Sequence, residues 1–171
     1  MIIGGQAVLV YGEPRLTKDI DITLGFGTDQ LDKVRAVVDG LGLRILVSDP
    51  QEFVLRTMVL PVIDDHTGIR VDLIFSISEF EAQAIKRVRV VRIGKTDVMF
   101  CSLEDLIIHK VVAGRPRDLE DVKVLLLKNP DRDSNYIVEW LKAFGALMER
   151  DFIGTFRKVE NETSRPPPNG R

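Results

Sequence analysis

The sequence predicts an α/β (α+β) fold, a short mixed β-sheet flanked by helices and followed by a helical C-terminal segment. Three observations predict it. Asp19 to Leu24 alternates polar and apolar residues with period two, the signature of a half-buried strand. Two pairs of short β-rich stretches, 58–63 with 69–75 and 87–93 with 98–101, are joined by polar, glycine-containing turns. From Ser102 onward the apolar spacing is helical and the breakers are Gly114 and Pro116.

In chain order, Met1 to Ile3 reads as a short strand ending at Gly4-Gly5, and Gln6 to Tyr11 as one or two turns of buried helix stopped by Gly12. The apolar start leaves room for a preceding helix lost ahead of Met1. Glu13 to Lys18 is a loop by its proline and charges. In the strand 19–24, Ile20, Ile22 and Leu24 point inward while Asp19, Asp21 and Thr23 share the opposite face. Leu31, Val34, Val37, Val38 and Leu41 follow helical spacing, with Thr28 or Asp29 as N-cap and Gly40 and Gly42 as the stop. Arg44 to Val47 is a short strand and Pro50 to Thr57 a helix. Met58 to Ile63 and Ile69 to Phe75 are strands; Ser78 to Lys86 is a helix whose capping box joins Ser78 and Glu81, unless its cap begins at Ser76. Arg87 to Ile93 and Val98 to Cys101 form a hairpin around Gly94-Lys95. Ser102 caps a helix to Ala113 with Asp105 at its third position, Pro116 opens a second to Leu127, and 136–148 and 151–159 complete the set. The expected organisation is a core over 1–101, a helical segment over 102–163 and a disordered proline-rich tail over 164–171.

Composition narrows the function classes. A chain of 171 residues, 44% apolar and 29% charged, has the make-up of a globular domain. Its net charge of -2 gives no global attraction to nucleic acid or acidic membranes, so a polyanion needs a local cationic cluster. The single Cys101 excludes an internal disulfide and reads as a small buried residue. No apolar run reaches membrane-span length, and the expected location is cytoplasmic. The two histidines lack zinc-site spacing: His66 reads as an exposed turn residue and His109 as a packing residue.

The chemistry concentrates in carboxylates. Asp19 and Asp21 leave the same strand face, where two anions repel unless a hard divalent cation takes their oxygens. If the strand carrying Asp72 pairs with or near theirs, three carboxylates can hold two magnesium ions about 3.5–4 Å apart, the arrangement of in-line phosphoryl transfer. The competing reading makes each a solvent-facing strand residue or turn-former. Gly4-Gly5 adds backbone N–H groups that can approach a phosphate. Downstream, Lys110 ends an apolar helix, and Asp118 and Asp121 share a helical face beside Arg117. This group can serve a triphosphate, or can be a salt-bridge network joining two helices across Gly114. Arg87 and Arg89 share a strand face and can grip an RNA backbone or the nucleotide triphosphate; a charged, solvated edge strand accounts better for the same run.

Gly4-Gly5, Arg15-x-Thr17-x-Asp19-Ile20-Asp21-Ile22 and the later Asp72 resemble the nucleotidyltransferase superfamily typified by polymerase beta. The run from Ser102 to Lys110 and then Arg115-Pro116-Arg117-Asp118-Leu119-Glu120-Asp121 narrows the resemblance to small bacterial AbiEii-type and toxin-related nucleotidyltransferases. It covers residues 1 to about 127. It implies a Mg²⁺- or Mn²⁺-dependent enzyme that moves a nucleoside monophosphate from an NTP, such as ATP, to a hydroxyl on tRNA, a protein or a small molecule. It implies that Asp19 and Asp21 bind both metals and Asp72 one, that Gly4 and Gly5 offer amides to phosphates, and that Lys110 neutralises the triphosphate. Arg15, Thr17, Arg117, Asp118 and Asp121 would border the nucleotide, with Lys18 left to solvent. A cognate antitoxin is an implied partner. Many superfamily members carry Gly-Ser where this chain has Gly4-Gly5, so a serine contact to phosphate is missing here. A non-catalytic nucleotide- or partner-binding module on the same fold is the alternative, and a metal-dependent phosphohydrolase a third possibility.

Overall fold

The computed structural model describes residues 1–14, 16–76 and 78–163; Arg15 and the tail 164–171 expected to be disordered lie outside the described residues. The chain divides into two compact units, Met1–Ala7 with Arg15–Ser102, and Val8–Pro14 with the chain from Leu103 onward.

The first unit is built on a mixed seven-stranded sheet of order β3-β4-β5-β2-β1-β7-β6. Its strands are β1 (Ile2–Ile3), β2 (Asp19–Thr23), β3 (Arg44–Ile45), β4 (Val59–Asp64), β5 (Ile69–Ile74), β6 (Arg89–Ile93) and β7 (Thr96–Phe100). The central strand β2 runs antiparallel to β1 and parallel to β5. Period-two alternation gives this sheet two unlike faces. On one, Leu60 and Val62 of β4 and Val71 and Leu73 of β5 meet Leu31, Val34 and Val38 of α2 (Leu31–Gly40) and Val54 of α3 (Pro50–Thr57). Val54, Leu60 and Val62 are completely buried, each contributing roughly 1.5–3 kcal/mol. The acidic residues of β2 and β5 lie on the other face.

Local chemistry sets the element ends. Asp49 accepts from the Glu52 N–H at the start of α3, where Pro50 occupies the first turn. Met58 ends α3 in the left-handed region at φ 61°, so it is a helix cap and not the first residue of the strand expected over 58–63. Ser78 and Glu81 form the expected reciprocal capping box of α4 (Glu79–Lys86). Two expectations fail nearby. Arg87 caps α4 instead of opening β6, so Arg87 and Arg89 do not share a strand face. Residues 28–30 form a 3₁₀ turn ahead of α2, and no side chain of Thr28 or Asp29 caps it.

The second unit is helical. It includes the last residues of α1 (Gly4–Tyr11) and all of α5 (Leu103–Ala113), α6 (Pro116–Lys128), α7 (Ser134–Met148) and α8 (Phe152–Thr163). Helix α5 packs on α6 and α7, and α8 packs on both of those, enclosing Leu106, Ile107, Val122, Leu125, Ile137, Leu141 and Phe156. Asn129 Nδ2 donates to the Tyr11 carbonyl at 3.0 Å, tying the 8–14 segment to the end of α6. No helix among the described residues is long and apolar enough to cross a membrane.

Candidate functional site

Strand β2 places Asp19 and Asp21 on one face of the sheet, and the parallel register with β5 sets Asp21 directly beside Asp72 and Asp19 beside Arg70. Adjacent strands lie about 4.8 Å apart, and residues two apart along a strand about 6.6 Å apart. Asp21 and Asp72 are therefore near neighbours, with Asp19 one step further along the same face. Asp19 is exposed; Asp21 and Asp72 are half-buried. The pairing of the two strands, which the alternation alone left undetermined, is what gathers these side chains.

Gly4 completes this corner. Ile3 pairs with Asp21, and the next residue, Gly4, starts helix α1 at φ 65°. A Cβ at this position would overlap the Asp21 carboxylate, so glycine is required twice over: by the left-handed backbone and by the close approach. The glycine pair is not a separate turn ahead of the helix, as its composition suggested, but the first residues of α1 itself. The positive end of the helix thus lies at the carboxylate-bearing strand.

Two residues not singled out from the sequence enter here. Arg70 donates from Nε to Asp72 Oδ1 at 2.9 Å and from Nη2 to Oδ2 at 3.1 Å, a bidentate pair along one strand face. Its signal was present, since position 70 is two before Asp72 and must share its face. Gln6, in the first turns of α1, donates from Nε2 to Thr17 Oγ1 at 2.5 Å and so anchors the loop that leads into β2. Nothing in its local sequence marks that role.

The described residues contain no group of three or more His, Cys, Asp or Glu side chains gathered closely enough to hold a metal ion. Two features account for this on the acidic face: Asp19 lies one strand step away, and Asp72 is turned onto Arg70. The donor set still suits a hard cation in kind, because its atoms are carboxylate oxygens on one sheet face, with the Asp21 carboxylate lying against Gly4 where a Cβ would otherwise be.

The second unit holds the other group of candidate residues. Lys110, Asp118 and Asp121 are buried, and Lys110 Nζ lies 3.0 Å from Asp118 Oδ1 and 2.7 Å from Asp121 Oδ2. Arg115 Nε donates to Asp118 Oδ2 at 2.5 Å, so the guanidinium that grips this carboxylate belongs to Arg115, where the sequence suggested Arg117. Arg117 is exposed. Burial pushes the Asp118 carboxyl up, but hydrogen bonds from Arg115 and Lys110 outweigh it and hold the group below its ordinary range. The arrangement is the ion-pair network across Gly114 that the helical spacing allowed. Tyr136 Oη donates to the fully buried Asp105 at 2.9 Å, a further polar tie between α5 and α7.

A search of curated proteins finds no match to this chain. Comparison with protein families matches residues 1–133, well over half of the 171, to one described as a nucleotidyltransferase of unknown function, DUF6036. The match spans β1 to the end of α6, and so takes in the Gly4 corner, the acidic face and the Lys110 network. The chain belongs to this nucleotidyltransferase family.

Proposed function

We propose that the chain transfers a nucleoside monophosphate from an NTP to an acceptor hydroxyl in a Mg²⁺- or Mn²⁺-dependent reaction. The observation that carries this reading is the in-register pair Asp21–Asp72, with Asp19 on the same face and Gly4 against Asp21. In the proposed reaction the acceptor oxygen bonds to the α-phosphorus as the bond to the pyrophosphate oxygen breaks, and the acceptor proton leaves toward Asp72. Asp19, Asp21 and Asp72 would hold the divalent ions, which when bound neutralise charge developing on the phosphates. The N–H groups at the start of α1, from Gly4 and Gly5, suit a phosphate oxygen. Gln6 holds Thr17 and with it the loop bordering the acidic strand.

Lys110, Asp118 and Asp121 enter this proposal as a network that holds α5 and α6 together. The Lys110 ammonium already serves two buried carboxylates, which favours that role over direct neutralisation of a triphosphate. The AbiEii-type resemblance is compatible with tRNA, a protein or a small molecule as acceptor, and with a toxin role opposed by an antitoxin protein.

One observation favours a second reading. Asp72 is held by Arg70, which suits a non-catalytic nucleotide-binding module as well as a resting enzyme. Incubation with each labelled NTP, Mg²⁺ and total tRNA or lysate separates the two: label entering a macromolecule supports transfer, and saturable binding without turnover supports the module. Asp21→Asn should lower transfer by at least about a hundredfold with the circular dichroism spectrum unchanged. Undiminished transfer would remove Asp21 from the site.

A further inference from the structure

The face that carries the carboxylates also carries a cation, Arg70, bound directly to Asp72. Arg70 and Asp72 are two apart on β5, and across the strand Arg70 stands beside Asp19. Its guanidinium occupies both oxygens of Asp72, the carboxylate that would complete the acidic set. The partners are unequally exposed: the Arg70 side chain is 51% exposed and that of Asp72 18%. A half-exposed guanidinium can leave for water at little cost, since such pairs are worth about 1 kcal/mol or less. The half-buried carboxylate needs a positive partner more, because water solvates it less well. A divalent ion on the neighbouring oxygens is a stronger partner than a guanidinium, and both cannot occupy the same Asp72 lone pairs.

We propose that Arg70 is the exchangeable counter-ion of Asp72: it holds this carboxylate until a divalent cation takes it, and the freed guanidinium then binds a phosphate oxyanion. The inference rests on the metal-dependent reading above and assigns that site a guard and a further anion contact. Exchange leaves the acidic face with more positive charge than before, because the arriving ion brings two charges for the one that departs. The released fork suits phosphate better than a lysine would, since its planar donors match two oxygens at once. That phosphate belongs either to the NTP or to a nucleic-acid acceptor.

The test is a Mn²⁺ titration of the full chain, followed by electron paramagnetic resonance, for the wild type, Arg70→Met, Asp21→Asn and Asp72→Asn. Arg70 is exposed and outside the core, and circular dichroism checks each fold. With its competitor removed, Arg70→Met should bind Mn²⁺ about fivefold more tightly, the equivalent of an ion pair of about 1 kcal/mol. Unchanged or weaker binding overturns the exchange. If neither Asp21→Asn nor Asp72→Asn weakens Mn²⁺ binding, the metal-dependent reading itself fails, and the exchange with it. At saturating Mn²⁺, binding of a nonhydrolysable ATP analogue and of a short single-stranded RNA is then compared between wild type and Arg70→Met. A loss of about tenfold for the nucleotide alone assigns the phosphate to the NTP, and for the RNA alone to the acceptor. No loss for either overturns the guanidinium's second role.

Discussion

Gly4 shows how one residue type can serve backbone and chemistry together. Its φ of 65° costs about 1–2 kcal/mol for any residue with a Cβ, and that Cβ would displace the Asp21 carboxylate as well. Gly4→Ala should therefore lose about 1–2 kcal/mol in urea unfolding and weaken Mn²⁺ binding. Full retention of both would show that Asp21 does not depend on the space Gly4 leaves. Gly42, by contrast, also has a positive φ, at 68°, but a Cβ there meets nothing within 4 Å. Its alanine variant should lose stability through the backbone alone and leave Mn²⁺ binding intact. The pair separates conformational freedom from clearance. It also explains why a glycine motif in sequence says so little until the neighbour that needs the space is known.

At the scale of elements, the Lys110 network turns a helical spacing into a structural tie. Asp118 sits in the first turn of α6, where the helix dipole favours a carboxylate, and Lys110 reaches it from α5. Removing the cation leaves two acids buried without it, so Lys110→Met should cost about 3–5 kcal/mol in urea unfolding. Adding Asp118→Asn and Asp121→Asn should restore much of that loss. A Lys110→Met protein as stable as the wild type would instead return Lys110 to the phosphate role. The same network marks where sequence reading succeeds. Asp118 and Asp121 were legible as a pair because helical periodicity puts them on one face, whereas Lys110, on the preceding helix, joined them through the family resemblance. The choice of Arg115 over Arg117 was not legible, since both flank Pro116 and only the path of the chain past Gly114 decides which guanidinium reaches Asp118. On the sheet, alternation revealed the face shared by Asp19 and Asp21. It could not reveal that Asp72 would pair in register with Asp21, because strand partners are chosen by contacts distant in sequence. Met58 and Arg87 were misread for a related reason: each is a plausible strand residue by type, and only the end of the preceding helix claims it.

On the scale of the whole molecule, the two units differ in how they keep their charges. The sheet unit leaves most of its acids at the surface. The helical unit buries Asp105, Asp118 and Asp121, and satisfies them with Lys110, Arg115 and the Tyr136 hydroxyl. Burial raises Asp118 and Glu160, but hydrogen bonds from Arg115 and Lys110 in one case, and from Arg157 and Arg132 in the other, leave both below their ordinary values of 3.8 and 4.5. The sign follows from linkage. Between the depressed native value and the ordinary unfolded one, the unfolded chain binds more protons, so stability rises with pH across that interval. The contribution is complete above about pH 5.5, begins to fall as pH drops through the unfolded values, and is gone below the native ones. Trp140, the only tryptophan, lies on α7 and reports this unit by its fluorescence. The urea midpoint read from Trp140 should therefore fall between about pH 5.5 and pH 3, and Glu160→Gln should make that fall shallower by removing one of the titrating acids. A midpoint independent of pH over this range would mean that the Arg132 and Lys110 pairs do not stabilise the helical unit.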